Sequence, residues 1–300
     1  MRRFMIAVSL LFLAVGIFAA PLKVVTTTPD LADLARQVGG DRVTVDCLSR
    51  GFQDPHFVEA KPSLILKVRD ADLFVQTGLE LEIGWAPLLV QGSRNARVQV
   101  GAKGFLDAST FITPLEVPSN VSRSEGDVHP GGNPHYFLDP RNGVLVVKGL
   151  ADKLSELDPP GATVYAKNAA AYTLRLNDKI AEWRKKMEPA KGTGFVSYHK
   201  NLAYFANLFG LQSAGEIEPK PGIPPSPSHT AELIDLMKTR KIPLILTMPH
   251  FESRTPDSLA KATGARVVVI APVPDAVPEA TNYIAAMDYN VAVILKALGK

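Results

Sequence analysis

Three histidines stand in short, stiff settings along the chain. His56 lies in Gln53-Asp54-Pro55-His56-Phe57, and His135 in Asn133-Pro134-His135-Tyr136-Phe137-Leu138-Asp139-Pro140. His199 closes Phe195-Val196-Ser197-Tyr198-His199, just before Ala203-Tyr204-Phe205. Imidazole is the commonest protein ligand for borderline transition metals, and three converging rings make most of a tetrahedral zinc site. Each ring follows a strand-like or Pro-stiffened stretch that can hold it still. A zinc finger would cluster its ligands in pairs, so three widely spaced single ligands predict a site assembled between folded lobes. A lone loop histidine is ordinarily a solvated side chain; the weight lies in three similar settings.

The segments that must position these rings alternate strand and helix. Lys23–Thr28 reads as a buried strand, and Pro29-Asp30 opens a helix through Leu31, Leu34, Ala35 and Val38 that stops at Gly39-Gly40. Arg42–Leu48 is a second strand leading to Gly51 and His56, and Lys61-Pro62-Ser63 starts a helix through Val68. Ala71–Gln76 reads as strand, Leu79–Leu89 as helix and Arg97–Val100 as a short strand. Leu115–Pro134, rich in Pro, Gly, Ser and charge, is a loop ending at His135. Such alternation predicts a mostly parallel sheet flanked by helices.

The middle differs. Asn142–Leu157 has helical spacing, Pro159-Pro160 interrupts, and Thr163–Met187 then runs almost without a breaker. Tyr165, Ala169, Tyr172, Leu176, Ile180, Trp183 and Met187 trace one face of a helix on the order of 40 Å long. After Gly192-Thr193-Gly194 the alternation restarts: strand Phe195–Tyr198, helix Asn201–Phe209 and a Pro-rich loop Glu216–Ser228. Helix Thr230–Lys238, strand Pro243–Thr247, helix Thr255–Thr263, strand Arg266–Ile270 and helix Asn282–Leu298 complete it. The expected fold class is α/β: two lobes, 21–157 and 191–300, joined by a long linking helix over 158–190.

Arg2-Arg3 and the apolar run Phe4–Ala20 read as a secretory leader over 1–20, which sends the protein to the periplasm. Cutting after Ala20 puts Phe18 at the usual small-residue position and Pro21 at the new N-terminus, so an uncleaved anchor stays open. The single cysteine, Cys47, permits no intramolecular disulfide and reads as a small core hydrophobe on a strand. No cysteine follows the apolar run, so lipid attachment there is not expected. The formal charge of +3 includes the two leader arginines, and no basic run interleaves with aromatics, which argues against nucleic-acid binding. No second stretch approaches the roughly 20 apolar residues of a membrane span.

With these residues in view, the chain resembles the zinc/manganese group of solute-binding proteins that serve ATP-binding-cassette (ABC) importers. The resemblance covers nearly all of the mature chain. Its specific pieces are Asp54-Pro55-His56-Phe57-Val58-Glu59 with Lys61-Pro62-Ser63, the Asn133–Pro140 run, Tyr198-His199 with Tyr204-Phe205, and Tyr283–Asn290. It implies a monomeric carrier with a metal in the inter-lobe cleft, ligated by His56, His135 and His199. It also implies a membrane permease as partner.

The fourth ligand is where this sequence departs. The resemblance implies an Asp directly after the last strand, but here Val269-Ile270-Ala271-Pro272 puts Ala271 at that position. Asp275, four residues on, is the nearest acid; the alternatives are a water held by Glu59, or a histidine, His129 or His250. His229 precedes a helix capped by Ser228 or Thr230 and reads as surface, and Glu216 and Glu218 flank the cleft. Three imidazoles without an obvious carboxylate favour zinc, with manganese or iron next; copper and nickel bind such donors as well or better in a tube. Two rivals remain. A zinc hydrolase needs a general base and usually an H-E-x-x-H pair, which the chain lacks. A surface adhesin is the other.

Overall fold

The computed structural model describes residues 20–119, 129–220 and 222–300. The leader expectation therefore falls, but for Ala20, outside the described residues. Each lobe is built on a four-stranded parallel sheet. The first contains β1 (Leu22–Thr26), β2 (Val43–Cys47), β3 (Leu73–Gln76) and β4 (Phe105–Asp107), in the order β2-β1-β3-β4. The second contains β5 (Gly194–Ser197), β6 (Gln212–Glu216), β7 (Leu244–Thr247) and β8 (Arg266–Val269), in the order β6-β5-β7-β8. Both lobes thus use one topology, with the first strand second from the edge. Val24, Val25, Leu73, Phe74 and Val75 are buried on both faces of the first sheet, as crossover helices require.

The crossover helices in the first lobe are α1 (Pro29–Gly39), α2 (Pro62–Arg69) and α3 (Ala86–Ser93). Pro at the first turn opens α1, and Gly40 at φ 52° lets the chain leave it. Next come α4 (Pro140–Leu157) and α5 (Ala162–Met187), the latter 26 residues or about 39 Å long. The buried stripe of α5 is the seven residues that periodicity picks out, Tyr165 to Met187. The second lobe adds α6 (Ala203–Phe209), α7 (Pro227–Thr239), α8 (Arg254–Thr263) and α9 (Tyr283–Leu298).

One apolar cluster runs from Val24 and Leu73 through the α5 stripe to Phe195 and Leu244, so both lobes share a core along the linking helix. Polar ties fix the N-terminal half of α9. The Tyr283 hydroxyl donates to the Phe137 carbonyl at 2.5 Å and its N–H to Asp33 at 3.0 Å, while Asp288 receives Trp183 Nε1 at 2.8 Å. The lobes are therefore held at a set span.

Three local expectations change. Leu79–Leu89 is not one helix: Leu79 and Glu80 are left-handed (φ 52° and 63°), and the chain turns until α3 begins at Ala86. The buried Glu82 carboxylate accepts the Thr77 and Gly78 N–H groups at 2.7 and 3.1 Å and holds that turn in place of helical bonding. Arg97–Val100 is not a strand, because the Asn95 side chain accepts the Arg97 N–H and closes a 3-10 turn; β4 forms later. The edge strand β6 was not expected from Gln-Ser-Ala-Gly-Glu, which carries no β-branched residue. It forms because β5 offers it an open edge.

Candidate metal centre

Each histidine is placed by its own short motif. In the loop after β2, Asp54 accepts the His56 N–H at 2.9 Å and lies 2.7 Å from His56 Nδ1. Trp85 Nε1 donates to the Pro55 carbonyl at 2.8 Å and pins this loop to the first lobe. In the second motif, the Asn133 side chain accepts the His135 N–H at 3.0 Å and donates to Glu116 and to the Lys200 carbonyl. The Tyr136 hydroxyl donates to the Thr77 carbonyl at 2.8 Å, and Asp139 caps α4 through the Arg141 N–H. Tyr204, from the second lobe, donates to the Asn133 carbonyl at 2.8 Å. His199 follows β5, and parallel pairing brings Glu218 beside it, with the Glu218 N–H donating to the Tyr198 carbonyl at 3.0 Å. Glu218 Oε2 then stands 2.7 Å from His199 Nδ1.

These elements bring His56, His135 and His199 together, with one ligand atom of each within 4.8 Å of the others. Their ring centres are 5.3, 5.5 and 5.6 Å apart. A zinc about 2.0–2.1 Å from each nitrogen, at tetrahedral angles, sets ring centres about 5 Å apart. A carboxylate can only accept, so Nδ1 of His56 and of His199 is the donor, and Nε2 is the atom each ring has left to offer a metal. The Nε2 atoms of His56 and His135 are buried and have no hydrogen-bond partner among the described residues. Buried polar atoms are almost always paired, so two such nitrogens in one cluster make this the candidate metal centre.

The electrostatics favour a cation. Desolvation, reinforced by the neighbouring imidazoles, holds His135 well below its ordinary 6.5, so its ring is neutral and free to coordinate. Burial likewise pushes His129 down to about 4 and lowers His250. Burial works against ionising Asp54, but its hydrogen bonds from the His56 ring and the His56 N–H outweigh it and hold the carboxyl down at about 2. The rings border a cavity of about 40 Å³, also walled by Asp30, Asn201, Met248, His250 and Pro272. That holds an ion and a water; small-molecule pockets run to about 300–1,000 Å³.

Asp275 is not brought to this cluster. The Asn290 side chain grips the Ala271 peptide from both sides, accepting its N–H at 2.7 Å and donating to its carbonyl at 2.8 Å. The chain then lines the cavity with Pro272 and Val273 and turns outward. Asp275, at φ 60° with its N–H bonded to the Ala280 carbonyl at 2.7 Å, lines a separate hollow with Gly51 and Phe52. Glu59 is exposed and lies 3.2 Å from Lys61, away from the cavity wall. His229 lies in the first turn of α7, capped by Ser226 in place of Ser228 or Thr230, and its Nε2 is 2.9 Å from the Glu216 carbonyl. Cys47 is part-buried, its thiol pushed up to about 11 by burial.

Two residues had no reading of this kind from sequence. Glu218 stood only as a cleft-flanking acid, since its role depends on the unexpected β6. The sequence offers Asp30 only as a helix opener; it is buried, burial pushes its carboxyl up to about 8, and Oδ1 has no partner among the described residues. Asp54 was legible in the motif as an Asp two residues before the ligand.

A two-lobed scaffold with a cluster of imidazoles between its lobes is what the fold and the site define. Residues 24–297 match the family described as zinc-uptake complex component A, periplasmic, and the chain belongs to that family. The zinc-binding lipoprotein AdcA of Streptococcus pneumoniae is 28% identical over 281 residues, covering 92% of this chain. The chain spans only about half, 55%, of the length of that relative. The manganese ABC transporter substrate-binding lipoprotein PsaA of Streptococcus pneumoniae is 26% identical over 284 residues, covering 93% of this chain and 89% of that protein. A crystal structure of ZnuA superposes with a TM-score of 0.78 at 25% identity, over 92% of this chain and 99% of that one.

Proposed function

We propose that this protein is an extracytoplasmic carrier that captures one divalent transition metal, zinc foremost, between its lobes and hands it to the membrane permease of an ABC importer. The observation that carries the reading is the trio of convergent imidazoles around a cavity too small for an organic solute. Neutral nitrogen donors favour zinc; manganese and iron, which prefer more oxygen, come second. The shared core along α5 and the ties of α9 suit a carrier that changes little in shape when loaded. An exported, monomeric protein with no nucleic-acid partner completes the reading.

The same cavity argues against the hydrolase. Asp54 and Glu218, the acids nearest the rings, are engaged with Nδ1 atoms, and no room remains for a scissile substrate. Metal analysis after mild chelation and reloading tests the proposal, with light scattering for the monomer and a hydrolysis assay on the loaded protein. One equivalent of tightly bound zinc without hydrolysis is the expected result. A protein that retains neither zinc nor manganese, or that turns over an ester or peptide, overturns it.

A further inference from the structure

We propose that His129 supplies a fourth nitrogen to the metal, so that the cargo is held by four imidazoles and no carboxylate. This rests on the metal-binding reading above and names the donor that Ala271 and Asp275 do not provide. His129 Nε2 is buried and has no hydrogen-bond partner among the described residues, as in His56 and His135. Its ring centre is 5.4 Å from that of His56, within the 5.3–5.6 Å spread of the trio, and 6.5 Å from that of His135. A hydrogen bond with the Leu79 backbone engages the ring. Because Nε2 is unpartnered, that bond falls to Nδ1, the pattern that Asp54 and Glu218 impose on His56 and His199.

The backbone around His129 is shaped for this contact. Leu79 and Glu80 are consecutive non-glycine residues in the left-handed region, a conformation that persists only where the surroundings impose it. A Cβ at Gly131 would stand 2.8 Å from the Leu79 side chain, so the chain just after His129 passes close over the Leu79 turn. His129 and His56 both border an outer hollow of about 560 Å³, and His56 also borders the inner cavity. His129 therefore stands on the approach to the trio, where a fourth donor closes the shell behind an arriving ion. His250 is the competing candidate, with Nδ1 buried and unpartnered, but its ring packs on Phe251 at 4.3 Å. Four nitrogen donors would also turn the site away from manganese, which favours oxygen.

The test loads metal-free full-length wild-type, His129→Ala and His250→Ala proteins with one equivalent of zinc. Zinc-edge X-ray absorption counts the imidazoles, chelator competition gives affinity, and apo melting curves confirm folding. Four imidazoles in wild type, three in His129→Ala with at least a tenfold loss of affinity, and four in His250→Ala support the proposal. Three imidazoles plus an oxygen donor in wild type overturn it while leaving the carrier reading standing, and need no variant to fold. Wild-type affinity in His129→Ala also overturns it. A wild type that binds no zinc defeats the carrier reading itself.

Discussion

The two lobes share one strand order yet hold their clustered histidines by different means. In the first lobe the support for His56 is local: Asp54, two residues away, takes both its N–H and its Nδ1. In the second, His199 depends on Glu218, nineteen residues on and delivered only by the pairing of β6 with β5. Both end at the same 2.7 Å carboxylate–imidazole distance. A ligand's orientation can thus be written into a tripeptide or into a sheet edge, and only the former survives in the chain as a readable motif.

Removing ligands should have the largest effect and should fall on both lobes alike. Alanine at His56, His135 or His199 is expected to cost several kcal/mol of zinc binding by competition titration, because two nitrogens cannot keep the geometry. Asp275→Ala should cost nothing. Wild-type affinity in all three histidine variants would mean that the lobes do not share a site.

Next in size is an effect confined to the first lobe. Asp30 has a folded-state pKa of about 8 against an ordinary 3.8, so it stays protonated while the unfolded chain ionises. The folded state binds the extra proton, and stability declines as pH rises from about 4 to about 8. Asp30→Asn should therefore raise the melting temperature at pH 8, by on the order of a few kcal/mol of stability, and give no gain near pH 4. A variant that melts lower at pH 8 would show that the carboxyl has a partner in the cavity.

The carboxylates behind the rings sharpen the contrast directly. Asp54→Asn and Glu218→Gln should each weaken zinc binding about 10- to 100-fold. Asp54→Ala should also lower the apo melting temperature, since it frees the His56 loop, whereas Glu218→Ala should leave it nearly unchanged. Equal apo stabilities would contradict the local-versus-tertiary distinction.

Acid release is the mildest effect. A protonated imidazole cannot coordinate, so zinc affinity should fall more than about tenfold between roughly pH 7.5 and pH 5.5. Desolvation keeps the His135 ring neutral to well below 6.5, so the decline should steepen further at lower pH. His56→Ala and His199→Ala should show a shallower slope over that range, whereas His135→Ala, which removes a ring that is neutral throughout it, should keep a slope near that of the wild type, as should Asp275→Ala. Affinity independent of pH over that range would rule out an imidazole shell.

Most of the fold was legible because its signals are local. Periodicity gave the buried face of α5 residue by residue, and Pro-opened, Gly-closed runs gave α1. What was illegible depended on partners distant in the chain. Leu79–Leu89 has helical composition, but the Glu82 carboxylate captures two backbone N–H groups and bends the chain; the polar strand β6 exists because β5 has an edge to fill.

The sequence by itself determined the α/β alternation, the long helix, the three histidines and the absence of a carboxylate after the last strand. These are properties of residue type and spacing, which backbone sterics and burial turn into local structure without reference to distant segments. Only the tertiary structure decided that the three rings meet within 4.8 Å, that Asp275 turns outward, and that Glu218 stands behind His199. It also decided that Asp30 is buried as an acid and that His129 lies against His56. Such facts depend on how two lobes close around one shared core, and no window of the sequence contains both sides of that contact.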